Sequence, residues 1–465
     1  MRLKIKKLFY RIETHMTASQ IMVAGFAIAI LIGGIVLCLP VCNADGRWLN
    51  FLDALFTACS AVCVTGLVTV VPAVQFSLVG KIVLLLLIQL GGLGIIACTM
   101  GAFLILRRQI TVRNRVMLQE SYNMNTMSGL VVLLIYVLKG TFFVEGVGAL
   151  LYAIQFVPQF GLVRGAWYSI FHAVSAFCNA GIDLLGENSL QMYQTNPLIN
   201  FTTIGLIILS GLGFVVWRDL LLAAHRIRKK ECSAGRAVQR MKVHTKLAVI
   251  MTLGLIVIGT VGIFAMEYSN PDTLGPLSTG QKWMAALFQS VTTRTAGFFT
   301  VPQGSLREES KLLSCILMFI GGSPGGTAGG VKTTTVALLL LTCWSVLKGH
   351  EDTECYRRRF PPANVRTGFS VFTVAFVAVL AGSLLVLFME PFALSDVLYE
   401  VVSAVGTVGL STGITSSLSS GSKLVIIFLM YMGRIGPVTL ALLFAARAAK
   451  KGRGRRLPEE RIMVG

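Results

Sequence analysis

Val64-Thr65-Gly66-Leu67, Asn179-Ala180-Gly181-Ile182, Thr295-Ala296-Gly297-Phe298 and Thr407-Val408-Gly409-Leu410 recur about every 115 residues, each after a short amphipathic stretch in a very apolar chain. The similarity extends backward into Phe56-Thr57-Ala58-Cys59-Ser60, Phe171-His172-Ala173-Val174-Ser175, Phe288-Gln289-Ser290-Val291-Thr292 and Tyr399-Glu400-Val401-Val402-Ser403. In every copy an aromatic residue stands four positions before a hydroxyl residue. The hydroxyl precedes the loop glycine by six residues in the first, second and fourth copies and by five in the third. A single chain carrying one glycine-centred loop four times can close a four-fold ring of backbone carbonyls by itself, the architecture of a cation-selective pore.

Hydrophobic residues make up 54% of the chain and charged residues 13%, with a mean hydropathy of +0.74. That balance excludes a water-soluble globular protein. Apolar runs of the roughly 20 residues that a bilayer demands lie at 19–39, 76–105, 127–157, 198–225, 243–267, 311–347, 368–390 and 422–446. The expected fold is an all-α polytopic membrane protein with eight transmembrane helices. The four amphipathic stretches, each roughly ten to fourteen residues, are too short to cross and suit re-entrant pore helices. Irregular backbone at membrane depth is tolerated only where protein buries it or water lines it, which places the four loops at a central pore. The repeating unit is span, pore helix, loop, span, with limits at 1–125, 126–240, 241–365 and 366–465.

The net charge of +20 is concentrated in alternate connections: Arg2 to Arg11, Arg107-Arg108 to Arg115, Arg218 to Lys246, Lys348 to Arg366 and Arg447 to Arg461. The positive-inside tendency makes these cytoplasmic, with both termini inside and an even number of spans. The first span follows Met1-Arg2-Leu3-Lys4-Ile5-Lys6-Lys7 without a small-residue cleavage site, so it is expected to be a retained helix. The basic strip fits anionic lipid or a cytoplasmic partner rather than nucleic acid. Ten cysteines show no metal-binding spacing, and Cys98 and Cys343 fall inside apolar runs as packing residues.

A cation leaving water needs oxygens in place of its hydration shell, and consecutive backbone carbonyls supply them without a fixed buried charge. The candidate filter residues are Cys63, Val64, Thr65 and Gly66; Cys178, Asn179, Ala180 and Gly181; Arg294, Thr295, Ala296 and Gly297; and Gly406, Thr407, Val408 and Gly409. Glycine permits dihedrals that align its neighbours' carbonyls, and the partly negative C-terminus of each short helix points toward the ion path. The competing explanation is that these glycines only let helices pack closely.

Two further features break the apolar pattern. Gly321-Gly322-Ser323-Pro324-Gly325-Gly326-Thr327-Ala328-Gly329-Gly330 lies within the sixth run. Its glycines and proline would cost a continuous helix roughly 9 kcal/mol relative to alanine, so the helix must break there. Lys332 follows directly and either faces the pore or anchors the loop. Arg434, in Met432-Gly433-Arg434-Ile435-Gly436-Pro437, stands inside the last run, where an arginine costs about 2.5–3.5 kcal/mol and faces a partner or a wet cavity unless it snorkels. About 8 Å from a pore ion, at an effective dielectric of 20, it would repel that ion by about 2 kcal/mol. On that account it is a pore electrostatic barrier in which charge matters more than fork geometry.

Along nearly its whole length the chain resembles the Trk/Ktr/HKT superfamily of potassium transporters, and within it the bacterial KtrB-type membrane subunits. The resemblance implies a pseudo-four-fold pore for K⁺ coordinated by filter backbone carbonyls, a homodimer with one pore per subunit, and a cytoplasmic KtrA-like ring of nucleotide-binding regulatory subunits. It assigns the filter glycines to Gly66, Gly181, Gly297 and Gly409, the intramembrane gating loop to the glycine-rich stretch from Gly321 to Lys332, and the last-repeat arginine to Arg434. In plant relatives that prefer Na⁺ the first filter glycine is serine, so Gly66 favours K⁺. The resemblance also implies stimulation by Na⁺, and contact with nucleotide only through the partner.

Glu145, Glu267, Glu390 and Lys139 lie in or near spans; Glu145 and Lys139 are read as a buried polar pair or interface residues. His172, in a pore helix, is read as packing. The sequence lacks a Walker A loop, an HExxH helix and a nucleophile elbow, so no enzymatic role is expected. The remaining rivals are a Na⁺-permeable transporter of the same fold and a secondary transporter of an organic solute, whose inverted repeats the two-span unit does not supply.

Overall fold

The structure is a computed structural model that describes residues 18–105, 129–231 and 233–436, together with position 116. The basic runs at 2–11, 107–115 and 447–461 lie outside the described residues, as does the expected boundary at 125. The principal helices are α1 (Ala18–Cys38), α2 (Phe51–Cys63), α3 (Leu78–Leu93), α4 (Ile95–Ile105), α5 (Leu130–Phe160), α6 (Leu162–Cys178), α7 (Pro197–Leu212) and α8 (Phe214–Arg228). They continue as α9 (Val243–Glu267), α10 (Thr279–Thr292), α11 (Glu308–Phe319), α12 (Thr333–Leu347), α13 (Pro362–Met389), α14 (Leu394–Gly406) and α15 (Ser420–Ile435). Strand structure among the described residues is confined to a two-residue antiparallel ribbon, Glu354–Cys355 against Arg358–Arg359.

Local chemistry sets many of the helix starts. Asn50 accepts from the Leu52 amide at 2.8 Å, Ser77 from Gly80 at 3.3 Å, Asn196 from Ile199 at 3.3 Å and Ser419 from Ser422 at 3.4 Å. Ser278 and Gln281 close a capping box on α10. Each such cap contributes on the order of 1 kcal/mol by satisfying an otherwise orphaned amide.

The protein is a multi-pass membrane protein. Gln20–Cys38, Leu130–Phe160, Val243–Glu267 and Pro362–Met389 are each long and apolar enough to cross a bilayer. Their outward faces carry exposed Ile28, Ile32, Phe142, Phe143, Ile258 and Phe388, while Thr57, Ser175, Ser290 and Ser403 are fully buried. That inversion of the soluble pattern suits lipid outside and a polar interior.

The runs expected at 76–105 and 198–225 are not straight. α3 and α4 meet at 99°, as do α7 and α8. The bends fall on Gly94 (φ 84°) and Gly213 (φ 88°), positive dihedrals that a side chain resists. The run at 311–347 is broken as expected, into α11 and α12. The last run is helical to Ile435 and stops at Gly436 (φ 97°); its remainder lies outside the described residues. Cys343 is exposed on α12 rather than packed.

Helix packing runs in a closed order. The long helices α1, α5, α9 and α13 pack on the short helices that follow them, α2, α6, α10 and α14. Each short helix also receives a helix from the preceding quarter of the chain: α3 lies on α6, α7 on α10, α11 on α14 and α15 on α2. The last contact joins the last quarter of the chain to the first. It is fastened by Lys423 Nζ on Asp53 Oδ1 at 2.8 Å and by the Tyr431 hydroxyl donating to the Val23 carbonyl at 2.8 Å.

Candidate functional site

The four short helices lead into loops that share one turn. The residue two before each loop glycine is left-handed although none is glycine: Val64 (φ 57°), Asn179 (φ 61°), Thr295 (φ 72°) and Thr407 (φ 52°). For β-branched Val64, Thr295 and Thr407 this conformation is strained and persists only because the surroundings impose it. The hydroxyl residue seen in the sequence is part of the imposition. Ser60 Oγ accepts from the Gly66 amide at 2.9 Å and Ser403 Oγ from the Gly409 amide at 3.0 Å. Ser175 Oγ donates to the Ile182 carbonyl at 2.6 Å, and Thr292 Oγ1 donates to the Phe298 carbonyl. The shorter spacing in the third copy has a backbone counterpart. Thr65, Ala180 and Val408 donate five residues back, to Ser60, Ser175 and Ser403, each at 2.8 Å, whereas Ala296 donates four back, to Thr292, at 3.0 Å.

The four loops meet in a cycle. A Cβ on Gly66 would lie 2.6 Å from the Ala180 carbonyl oxygen, one on Gly181 2.6 Å from Ala296, one on Gly297 2.7 Å from Val408, and one on Gly409 2.1 Å from Thr65. Every glycine thus abuts the carbonyl just before the next glycine, and the fourth returns to the first. No other residue fits at these positions without displacing backbone. The Thr65, Thr295 and Thr407 hydroxyls are buried here without a protein partner, which leaves oxygen lone pairs free for a cation. The short helices add the negative ends of their dipoles. Cys63, Cys178 and Gly406 are fully buried in the last turns. Arg294 is directed away from the loops, its guanidinium donating to the Thr252 carbonyl at 3.2 Å and to the Thr252 hydroxyl at 3.3 Å.

Directly against this ring lies the glycine-rich stretch. Ile320 and Val331 form a parallel bridge with Gly321 N donating to Val331 O at 2.9 Å, so the stretch leaves and re-enters at one place. Its middle docks on the α7–α8 bend: Ser323 N donates to Gly211 O at 2.9 Å and Phe214 N to Gly325 O at 3.0 Å. Thr327 Oγ1 donates to Phe177 O at 3.2 Å and accepts from Asn179 Nδ2 at 3.2 Å; Ser210 Oγ holds Asn179 Oδ1 at 3.1 Å. Close approach leaves no room for side chains, since a Cβ on Gly329 would fall 2.0 Å from Thr407 Oγ1 and one on Gly330 3.3 Å from the Gly406 carbonyl. Of the two readings of Lys332, anchoring is the one its contacts match: Nζ donates to Ala328 O at 2.5 Å and Gly329 O at 3.3 Å.

Arg434 does not snorkel. Its guanidinium donates to the Thr327 carbonyl in the glycine-rich stretch and to the Gly91 carbonyl beside the α3–α4 bend, with Gly92 O at 3.3 Å. The fork therefore bridges two elements, a role that the sequence did not suggest.

The cation transport protein model of the TrkH family matches residues 9–451. This chain belongs to the TrkH family. It is 38% identical over 98% of its length and 99% of the relative's to the potassium/sodium uptake protein NtpJ of Enterococcus hirae. It is 36% identical over 92% of its length and 93% of the relative's to the Ktr system potassium uptake protein B of Bacillus subtilis. The crystal structure of the potassium transporter TrkH from Vibrio parahaemolyticus superposes with a TM-score of 0.73 at 17% identity, covering 92% of this chain and 85% of that one. Membership in the TrkH family makes transport, not catalysis, the work of the fold.

Other residues of this TrkH-family chain fall into place around the site. Glu145 and Lys139 are not a pair: Glu145 is buried, accepting from Gln89 Nε2 at 3.4 Å with Cys178 Sγ at 3.9 Å, and Lys139 is exposed. Glu267 braces the segment after α9 by accepting from Arg307 N at 2.9 Å, Asn270 Nδ2 at 2.7 Å and Thr273 Oγ1 at 2.6 Å. Glu390 Oε1 accepts from Ser419 N at 2.7 Å at the start of α15. His172 is packing, as expected, enclosed by Tyr152, Phe156, Tyr168 and Phe171. Sequence reasoning missed Glu400, a fully buried carboxyl in α14. The signal was present, because the position after each aromatic is polar in every copy: Thr57, His172, Gln289, Glu400.

Proposed function

We propose that this chain carries K⁺ into the cell through the ring of loops, with the carbonyls before Gly66, Gly181, Gly297 and Gly409 as the selectivity filter. The observation that carries this reading is the cyclic abutment of the four glycines on the carbonyls of Thr65, Ala180, Ala296 and Val408. In this reading the fold is four span, pore helix, loop, span repeats at 1–125, 126–240, 241–365 and 366–465, eight transmembrane helices in all, and the closed packing order supports it. The stretch from Gly321 to Lys332 is the gate beneath the filter, and Arg434 both latches it and repels cations. Two relatives are named Ktr system potassium uptake protein B, which supports K⁺ as cargo and a Ktr-type complex: a homodimer of this chain on a cytoplasmic nucleotide-binding ring, with anionic lipid along the basic inner face. Both termini are then cytoplasmic. Na⁺ acts as a stimulant of uptake rather than the main cargo.

The second reading is a Na⁺-permeable pore, favoured by the name of the potassium/sodium uptake relative. Uptake of K⁺ and Na⁺ by cells lacking their own K⁺ transport, comparing the parent with Gly66→Ser, separates the two. Loss of K⁺ preference in the variant supports the filter assignment. Unchanged affinity for both ions removes this loop from the filter, and a parent that takes up both equally favours the second reading.

A further inference from the structure

Behind the outer end of the fourth loop sits a second collection of oxygens. Glu400 is fully buried; its Oε1 accepts from Thr415 Oγ1 and its Oε2 has no partner. The Ser411 hydroxyl reaches the same carboxyl and lies 2.8 Å from Thr415 Oγ1. The Thr412 hydroxyl is buried without a partner. The turn after the third loop packs on this segment, where a Cβ on Gly304 would come within 2.8 Å of the Thr412 carbonyl. Neighbouring charge does not neutralise the carboxyl. Asp396, one turn earlier on α14, is held by Lys311 Nζ at 3.0 Å, and the same amine holds Glu308 at 3.1 Å.

A buried carboxylate with a free oxygen costs several kcal/mol unless a proton or a cation joins it. Thr415 has one hydroxyl hydrogen for its two neighbours, so lone pairs remain on Ser411 and Glu400. An all-oxygen set with one negative charge, and without nitrogen or sulfur, suits a hard ion of single charge. We infer that Glu400, Ser411, Thr412 and Thr415 form a binding site for a small alkali cation, Na⁺ being the fitting probe, separate from the ring of glycines. Ser411 is two residues past Gly409, so an ion here fixes the outer end of the fourth loop. The site goes beyond the transport reading.

The test uses the full chain purified in detergent, with K⁺ held saturating and choline exchanged for Na⁺ at constant ionic strength. The thermal unfolding midpoint of the parent should rise with Na⁺ and saturate. Glu400→Gln should shift the half-saturating Na⁺ concentration upward by about tenfold or more, the equivalent of roughly 1.4 kcal/mol, and Thr412→Val should shift it in the same direction. A parent midpoint indifferent to Na⁺, or one that follows pH alone, overturns the site, because the carboxyl is then simply protonated. Half-saturation unchanged in Glu400→Gln also overturns it. Should that variant fail to fold, Thr412→Val and Ser411→Ala decide by the same criterion. The readout needs no flux, so a chain that binds Na⁺ here but moves no K⁺ would sink the transport reading and leave the site standing.

Discussion

Replacing Arg434 distinguishes a latch from a charge. The guanidinium joins Thr327 of the glycine-rich stretch to Gly91 and Gly92 of the first bend, and hydrogen bonds from charged groups contribute about 1.5–3 kcal/mol each. A lysine keeps the charge but, as a single ammonium on a flexible stem, cannot hold both ends. Losing one end should favour release of the stretch by about tenfold to a hundredfold, and Arg434→Ala, losing both ends and the charge, should favour it further. A pure barrier gives another pattern: Arg434→Lys would match the parent, and Arg434→Ala alone would gain up to roughly thirty-fold from about 2 kcal/mol of relieved repulsion. The assay is Rb⁺ flux per folded molecule in proteoliposomes without a cytoplasmic partner. Parent-like flux in Arg434→Lys refutes the bridge, and parent-like flux in both variants with lowered expression refutes bridge and barrier together.

Removing residues 322–329 with α11 and α12 retained should raise partner-free K⁺ flux, and flux no faster than the parent's in a correctly inserted deletion would end the gating assignment. Ser60→Ala orphans the buried Gly66 amide at about 1–3 kcal/mol, so K⁺ over Na⁺ preference should weaken while insertion persists; ion competition curves identical to the parent's would show that the hydroxyl does not hold the loop. Co-purification from native membranes should yield a dimer of this chain with a nucleotide-binding ring, and a stable monomer that ignores the ring in pull-downs would count against that assembly.

The loops were legible because the same short pattern occurs four times, with the hydroxyl of Ser60, Ser175, Thr292 and Ser403 marking the register. Even the shortened third copy could be read before its cap was seen. The bends at Gly94 and Gly213 were not legible, since a single glycine in an apolar run costs only about 1 kcal/mol and looks like tolerated helix. Aligning Gly91-Gly92-Leu93-Gly94, Ser210-Gly211-Leu212-Gly213 and Gly433-Arg434-Ile435-Gly436 would have exposed them as one recurring break. Arg434 was recognisable as a problem for the bilayer, but its solution lies 343 and 107 residues away in backbone carbonyls, which leave no mark in side-chain sequence. Glu400 was hidden for a related reason, because its partners Ser411 and Thr415 are ordinary hydroxyl residues in a loop.

The closed packing order also constrains how the protein is made. Synthesis proceeds from α1, and α2 gains α1 and α3 early but lacks α15 until that helix is made; the Lys423 to Asp53 ion pair joins residues 370 apart. Until α15 has been made, the nascent chain holds an open arc whose first loop lacks the helix that closes it at membrane depth. Closure of this seam is a long-range step that local helix formation cannot hasten. A chain terminated before Ser420 should therefore be recognised by membrane quality control as incomplete, even though most of its helices are already inserted.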